Sequence, residues 1–552
     1  MCGIWALIEK TKQSCTPEQL QNFWDLKHRG PDNSHFETFN NIYLGFHRLA
    51  IMDTSFKSNQ PYVIQEKDRT IVFICNGEIY NYKELDTLHD LNVSTSDCLV
   101  IPKLYSKFVK YNEDPTSWFD LFQNYSIKGE FAFMLFEFDH TKKLSRYFIG
   151  RDSIGVRPLY ESVSDSDMDW YSSEIKGMTN FRSEVREFPP GNIKQVTCNV
   201  FDYTYKYLSF IDHLYDHLEI SRTDECILKN IRETVCNSVK RRLDADRPIA
   251  FLLSGGVDSS LVCAIASKII EQPIRTFCCG IKGSTDLEYA RKVAEHIGSN
   301  HTEVHFTEQE GLQAIEDVIH TTETWDTTTI RASVGQYLVS KYISNHTDCK
   351  VVLVGEGPDE VCSSYLFNYY SPKDKLHDTA KEYVKNIHIY DGRRADRCTA
   401  RWGLEARIPF LDLEFIKCYW QIPEGTRHPK HFGFEKYWLR KAFDGLDLLP
   451  DEILWRKKEA FSDGVSSKEK SWHHIIQDYV EKEFDHINYN NVFTSNIPTT
   501  KEAKFYRHIF YKKFGIMRDN ILPKYWLPKW NKNGDENCSY VDPSARTLEV
   551  YS

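Results

Sequence analysis

None of the apolar runs in these 552 residues approaches the roughly 18–20 residues that a bilayer-spanning helix requires, so no transmembrane segment is expected. Fifteen cysteines are scattered along the chain, none in a Cys-x-x-Cys pair. That spacing and the odd count argue against a disulfide framework and a structural zinc site. A Gly-x4-Gly-Lys-Ser/Thr loop is also missing, which removes the usual β/γ-phosphate cradle of kinases and ATPases. There is no long basic stripe. Lys and Arg number 69 against 79 Asp and Glu, and the resulting charge of −10 is spread along the chain. Nucleic acid is therefore not an expected partner, and bound anions should be small and held by local loops. Internal repeats and low-complexity tracts are absent. The first ten residues carry no basic leader, and their apolar stretch is too short for a signal peptide, so a reducing, cytoplasmic setting is expected.

What is present divides into two blocks, as the length alone leads one to expect. The first ~200 residues read as short strands and turns, such as Ile71-Val72-Phe73-Ile74-Cys75 and Phe131-Ala132-Phe133-Met134-Leu135-Phe136, with a turn at Pro189-Pro190-Gly191. The segment 201–223, rich in Tyr, Asp and His, reads as the connection. From Cys226 onward brief apolar strands alternate with helical periodicity. Strands are expected at 249–253, 276–279, around Val304 and Phe306, and at 351–354. A helix with apolar positions at Leu287, Ala290, Val293, Ala294 and Ile297 closes on Gly298. Such alternation implies a parallel sheet with ligands at the carboxyl ends of its strands, followed by a mostly helical remainder.

Cys2 is the first candidate for chemistry. Removal of Met1 would put an α-amine, with a pKa near ~8, on the same residue as a thiol near ~8.5. That is a self-contained nucleophile, although a small buried residue is the bland alternative. Strand 71–75 ends in Asn76-Gly77-Glu78, which supplies a side-chain amide and a glycine N–H to an oxyanion, or else simply a hairpin turn. Arg48 could grip a substrate carboxylate, and Glu78 and Asp97 an ammonium. In the second block, Ser254-Gly255-Gly256-Val257-Asp258-Ser259-Ser260 sits between a strand and a helix, where glycines, hydroxyls and a helix amino end suit phosphate. Strand 351–354 delivers Gly355-Glu356-Gly357-Pro358-Asp359-Glu360 to the same sheet edge. Asp258 and Asp359 suit Mg²⁺, completed by phosphate oxygens and water, and Glu356 suits a general base. A solvated helix start is the alternative for these carboxylates.

Several of these motifs, in order, resemble class II glutamine amidotransferases: Cys2-Gly3-Ile4, His28-Arg29-Gly30-Pro31-Asp32, Phe46-His47-Arg48-Leu49, Asn76 to Asn81, and Gly150-Arg151-Asp152 through Tyr160. The resemblance implies an α+β N-terminal-nucleophile αββα sandwich over residues 1–205. It makes Cys2 the nucleophile, Asn76 and Gly77 the oxyanion hole, and Arg48, Leu49, Ala50, Ile51, Met52, Glu78 and Asp97 the glutamine site. Leu99 departs from that family, which usually has an acidic residue two positions after the Asp corresponding to Asp97.

Over 206–552 the resemblance narrows to asparagine synthetases. It rests on Glu323-Thr324-Trp325-Asp326, Arg331-Ala332-Ser333, Arg394-Ala395-Asp396-Arg397, Gly403 to Asp412, Lys457 to Gly464, and Asp542 to Thr547, the last as in eukaryotic-type enzymes. It implies an α/β parallel-sheet, helix-rich domain of the ATP-pyrophosphatase type. ATP would contact Leu253, the 254–260 loop, Cys279, Val354 and Gly355, with Lys458 on pyrophosphate. Glu360, Asp391 and Arg394 would surround aspartate. The implied cofactors are ATP, as a substrate, and Mg²⁺; the implied partners are glutamine, aspartate and a second copy of the chain. Ammonia freed at Cys2 would cross an internal passage to a β-aspartyl-AMP intermediate. The pyrophosphate-type loop argues against an amidotransferase acting on a sugar phosphate, and Cys2 against a β-lactam-forming relative. Val354 and Pro358 stand where the family usually has serine, which is the footing for a reading as a non-catalytic nucleotide-binding protein.

Overall fold

A computed structural model describes residues 1–10, 16–93, 96–162, 168–179, 184–198, 203–210, 223–458, 464–466, 470–484, 495–515, 518, 520–536 and 542–543. Residues 459–463 and 544–547 of the sequence motifs, and most of the connecting segment, lie outside the described residues. The chain forms two units, Met1–Tyr215 with Asp244–Arg247, and Asp216–Leu243 with Pro248–Ser552. No described helix is long and apolar enough to cross a membrane.

The first unit contains two six-stranded antiparallel sheets. One has the order β10-β8-β9-β1-β3-β2, built from β1 (Gly3–Glu9), β2 (Asn33–Phe39), β3 (Ile42–Arg48), β8 (Tyr160–Ser162), β9 (Met168–Ser172) and β10 (Val185–Glu187). The other has the order β12-β11-β7-β6-β5-β4, from β4 (Tyr62–Gln65), β5 (Arg69–Ile79), β6 (Gly129–Asp139), β7 (Leu144–Arg151), β11 (Asn192–Cys198) and β12 (Tyr203–Ser209). Side chains alternate between faces along a strand, and here both faces are buried. Val72 and Ile74 of β5 join Ile4, Ala6 and Ile8 of β1 in the core between the sheets. Ile71, Phe73 and Cys75 point the other way, into a core with Leu104, Tyr105, Trp118 and Phe122 from the helices Val100–Phe108 and Thr116–Gln123. On the far side Trp5 packs on Phe23, from the helix Pro17–Trp24. The unit is thus the αββα sandwich, and a continuous apolar run such as 71–75 is what a strand buried on both faces requires.

His47 lies in this framework, fully buried and stacked on Phe23 with ring centroids 4.1 Å apart. Its Nε2 is 2.9 Å from the Phe23 carbonyl, and its Nδ1 is 2.8 Å from Ser34 Oγ. Neutral imidazole satisfies both contacts, donating from Nε2 and accepting at Nδ1. Burial pushes its pKa down from 6.5 to about 4. Between those values the unfolded chain binds a proton that the native state refuses, so stability falls as pH falls from about 6.5 to about 4 and is unaffected by this group above that window. At pH 5 the expected loss relative to pH 7 is about 2 kcal/mol. Denaturant unfolding at the two pH values should show that difference shrinking in His47→Gln. An unchanged pH dependence would assign the acid sensitivity to other groups.

In the second unit β13 (Ile249–Leu252), β14 (Arg275–Gly280), β15 (Asn300–His305), β16 (Val351–Leu353) and β17 (Glu405–Arg407) form a parallel sheet in the order β15-β14-β13-β16-β17. The helix Thr285–Ile297 ends on Gly298 at φ 65°, as its pattern predicts. Strand order reverses between β13 and β16, and in open α/β sheets such a switch point forms a crevice at the carboxyl ends of the strands. The fifth strand escapes the sequence pattern because it is only three residues long and two of them are charged. Both are buried, Arg407 Nε bonding Glu405 Oε1 at 2.9 Å.

Candidate active sites

In the first unit the packing of one sheet on the other brings Cys2, just before β1, beside Asn76 of β5. The Cys2 N–H donates to Asn76 Oδ1 at 2.9 Å, and its thiol points at the Leu49 carbonyl, 3.8 Å away. Asn76 and Gly77 do not follow the strand. They lie within β5, opposite Ala132 and Phe131, which removes the hairpin-turn alternative. Gly77 must be glycine, since a Cβ there would stand 2.5 Å from the Glu130 carbonyl. With its Oδ1 taken by Cys2, Asn76 is fully buried and its Nδ2 has no hydrogen-bond partner among the described residues. An orphaned buried donor is costly, and one beside a thiol is what an oxyanion needs.

Arg29 also acts on Cys2. Its Nε donates to the Cys2 carbonyl at 3.0 Å while its other end pairs with buried Glu174. The His-Arg-Gly-Pro-Asp motif signalled this segment, but only the structure shows the contact. Gly30 follows because a Cβ would stand 2.2 Å from the His47 backbone. The expected glutamine clamp is only partly assembled. Asp97 reaches the end of β5, accepting from Ile79 N–H at 2.6 Å, and Glu78 is buried. Leu49, Ala50 and Ile51 are buried, and Met52 is half-buried. Arg48 instead directs its guanidinium into its own following loop, to the carbonyls of Met52, Asp53 and Ser55 and to Asn59 Oδ1. Leu99 packs against the helical core, an apolar use for the position where the family carries an acid.

In the second unit the switch-point crevice holds a cavity. Of the residues singled out from the sequence, Leu253, Ser254, Gly256, Asp258, Ser259, Cys279, Gly355, Glu356, Asp359, Glu360, Asp391, Arg394 and Lys458 line it. Gly255, Ser260 and Val354 do not. Gly255 sits at φ +73°, and a Cβ would clash with Tyr289 at 2.4 Å, so its role is to let the Thr285–Ile297 helix approach. Ser260 is fully buried in the helix Val257–Ile269, and Val354 is buried with its N–H on the Arg407 carbonyl at 3.2 Å. The loop is organised by hydroxyls: Ser254 N–H donates to Ser259 Oγ at 3.1 Å, and the two Oγ atoms are 3.0 Å apart. No side chain caps the start of the helix, whose amino end faces the cavity through Gly256 to Ser259. Pro358 occupies the first turn of its short helix, Pro358–Val361, where a fixed φ and a missing N–H cost nothing.

Two charge clusters meet in the cavity. Lys436 Nζ bonds both Asp258 Oδ2 and Asp359 Oδ1, the latter at 2.7 Å, and Lys458 pairs with the other Asp359 oxygen. Burial pushes both carboxyls up. At Asp359 the two lysines outweigh burial and hold it far below the usual range. At Asp258 burial outweighs the pull of Lys436 and Asp359 adds to the rise, so it stays above its ordinary value. The second cluster is Arg394 with Asp391 (2.8 Å), Gln336 (3.0 Å) and Glu356 (3.4 Å). Burial raises the Glu356 pKa against the pull of Arg394, with Asp391 adding to the rise. Glu360 is raised further by burial, Asp391 and Asp359, and it accepts from Tyr365 OH at 2.5 Å.

Lys436 and Gln336 belong to none of the motifs read from the sequence. Lys436 precedes the helix Tyr437–Phe443 and looks like any surface lysine there. Gln336 lies five residues beyond Arg331, on a helix, Thr327–His346, whose first half is almost entirely buried.

Comparison with known proteins agrees with this division. A glutamine amidotransferase domain matches residues 1–206, and an asparagine synthase domain matches residues 230–383 and 370–519. The asparagine synthetase (glutamine-hydrolyzing) of Gallus gallus is 40% identical over 583 aligned positions, which cover 100% of this chain and 99% of that protein. Those of Homo sapiens and Bos taurus are 39% identical with the same coverage. A chain matched from end to end in this way, with both domains in order, belongs to the glutamine-hydrolysing asparagine synthetase family.

Proposed function

We propose that the protein converts aspartate and glutamine to asparagine and glutamate at the expense of ATP, which leaves as AMP and pyrophosphate. Residues 1–205 would serve as the glutaminase part and 206–552 as the synthetase part. Its family membership supports the reaction as a whole. The observation that carries the synthetase half is the meeting of Ser254 to Ser259, Glu356 and Asp359 at one switch-point crevice. The scattered cysteines, with no Cys-x-x-Cys pair among them, support a reducing, cytoplasmic setting.

In the first half, Cys2 attacks the glutamine side-chain amide. Its thiol proton goes to the leaving ammonia, by way of the α-amine that Met1 removal would free, and the oxyanion takes its donors from Asn76 Nδ2 and the Gly77 N–H. Water then cleaves the glutamyl thioester to glutamate. Asp97, Glu78 and the 48–52 segment hold the substrate; Arg48 must release some of its loop carbonyls to do so.

In the second half, an oxygen of the aspartate β-carboxylate attacks the ATP α-phosphorus and the bond to the β-phosphate oxygen breaks. Ser254 to Ser260, Leu253, Cys279, Val354 and Gly355 form or back the nucleotide site, and Lys458 holds pyrophosphate. Arg394, Asp391 and Glu360 orient aspartate. Ammonia adds to the activated carbonyl, Glu356 takes a proton from it, and AMP departs. Burial raises the Glu356 pKa, which makes it a better base, while the pull of the Arg394 guanidinium favours its charged form.

Asp258 and Asp359 would hold Mg²⁺. They form no closed metal cage, since among the described residues no group of three or more His, Cys, Asp or Glu side chains is placed to bind one. Two carboxylates bridged by one cation, with Asp258 Oδ1 buried and unbonded, nevertheless fit an ion completed by phosphate oxygens and water. Such an ion would offset the charge developing on pyrophosphate. Incubation with aspartate, glutamine and MgATP should yield asparagine, glutamate, AMP and pyrophosphate in equal amounts. Formation of ADP and phosphate instead would overturn this reading.

A further inference from the structure

We propose that Lys436 is a built-in counter-ion that stands in for the divalent cation and ties metal binding to nucleotide binding. The inference rests on the reading of Asp258 and Asp359 as the metal carboxylates. The ammonium of Lys436 is buried and bonds both of them at once, so it occupies the bridging position between the two side chains.

Its placement is built rather than incidental. Lys436 has φ +57°, a left-handed conformation that a residue with a side chain adopts only when its surroundings enforce it. The enforcement comes from Glu435. Its carbonyl accepts from Arg440 Nε at 2.9 Å, and its Oε1 accepts from Arg440 Nη2 at 2.8 Å and from the Lys458 N–H at 3.1 Å. One buried glutamate thus fixes the backbone that carries both lysines of the cluster. The backbone is held and the long side chain is the part that can move.

Charge then decides what can bind. Asp258 and Asp359 contribute two negative charges, and Lys436 and Lys458 two positive ones, so this cluster is neutral as it stands. A bare divalent cation would find its carboxylates already paired and would leave two positive charges uncompensated at a buried site, which is unfavourable. A nucleotide changes the balance because its phosphates bring the missing negative charge and give the displaced ammonium a partner. The metal is therefore admitted with the nucleotide and poorly without it, and the carboxylates are not left facing each other between turnovers.

The test is direct Mn²⁺ binding to the nucleotide-free full chain, followed by the electron paramagnetic resonance signal of free Mn²⁺. The parent should bind weakly. Lys436→Met should bind at least tenfold more tightly, and Lys436→Gln should do the same if the methionine variant fails to fold. Adding Asp258→Asn to either variant should abolish the gain. In EDTA the Lys436→Met protein should melt at a lower temperature than the parent, and Mn²⁺ should restore it. A lysine with a merely structural role would lower stability without raising metal affinity. Unchanged or weaker Mn²⁺ binding in a folded neutral variant overturns the inference. A gain that persists with Asp258→Asn overturns it too, because the ion then sits elsewhere. The underlying reading is checked separately by AMP formation in the Asp258→Asn single variant. An inactive single variant with no gain at Lys436→Met rejects only the role of Lys436, whereas a fully active one rejects the metal carboxylates themselves.

Discussion

Cys2→Ala should abolish glutamine hydrolysis, by at least about a thousandfold, while synthesis of asparagine from added ammonia stays within about twofold of the parent. A thousandfold corresponds to about 4 kcal/mol of lost transition-state stabilisation, a modest figure for removing the atom that forms the covalent intermediate. The sparing of the ammonia reaction follows from where the residues lie. Cys2, Asn76 and Gly77 belong to the first unit, and Asp258, Glu356 and Asp359 to the second. Alanine should also fold, since the Cys2 backbone keeps its bonds to Asn76 Oδ1 and Arg29, while the side chain gives up a weak thiol contact to the Leu49 carbonyl and part of its packing against the core. Glutamate release and asparagine formation with ammonium chloride, measured on the same preparation, decide the matter. Parallel loss of both activities in a folded variant would end the two-centre description.

How far such roles could be read in advance depends on what each residue's neighbours are. Strand 71–75 and the inner strands β13 and β16 of the second unit were legible because burial on both faces leaves an unmistakable apolar run. β17 was not legible, because Glu405 and Arg407 neutralise each other across two residues and so look like surface. The phosphate loop was legible because glycines, hydroxyls and an uncapped helix start have few other uses together. Within it, though, Gly255 serves helix packing and Ser260 lies in the helix core, distinctions that need the third dimension. Arg48 shows the reverse case. Its motif marks a clamp, but a guanidinium has five donors, and the adjacent loop offers carbonyls that take most of them. Lys436 was invisible because a lone lysine before a helix carries no pattern. Its meaning comes from two aspartates, Asp258 and Asp359, that lie 178 and 77 positions away in the chain.

Asp258→Asn should stop formation of AMP and pyrophosphate by roughly 100- to 1000-fold, about 3–4 kcal/mol, and leave glutaminase activity intact. Two effects act in the same direction. An amide oxygen carries no net charge, so the paired carboxylates that would hold the cation fall to one, and the phosphate charge developing as pyrophosphate leaves is less well offset. The substitution also unbalances the metal-free cluster. Lys436 and Lys458 are then opposed by Asp359 alone, an excess of one positive charge in a buried site. That excess should draw nucleotide phosphates more strongly even as it repels the metal. The variant is therefore expected to bind ATP no worse than the parent while failing to cleave it. Equilibrium binding of ATP, set beside exchange of labelled pyrophosphate into ATP in the presence of aspartate, separates the two. Retained binding with lost exchange places Asp258 in the chemical step. Loss of both in proportion would make it a nucleotide anchor instead, and full exchange at ordinary Mg²⁺ would show that the cation is held by other groups.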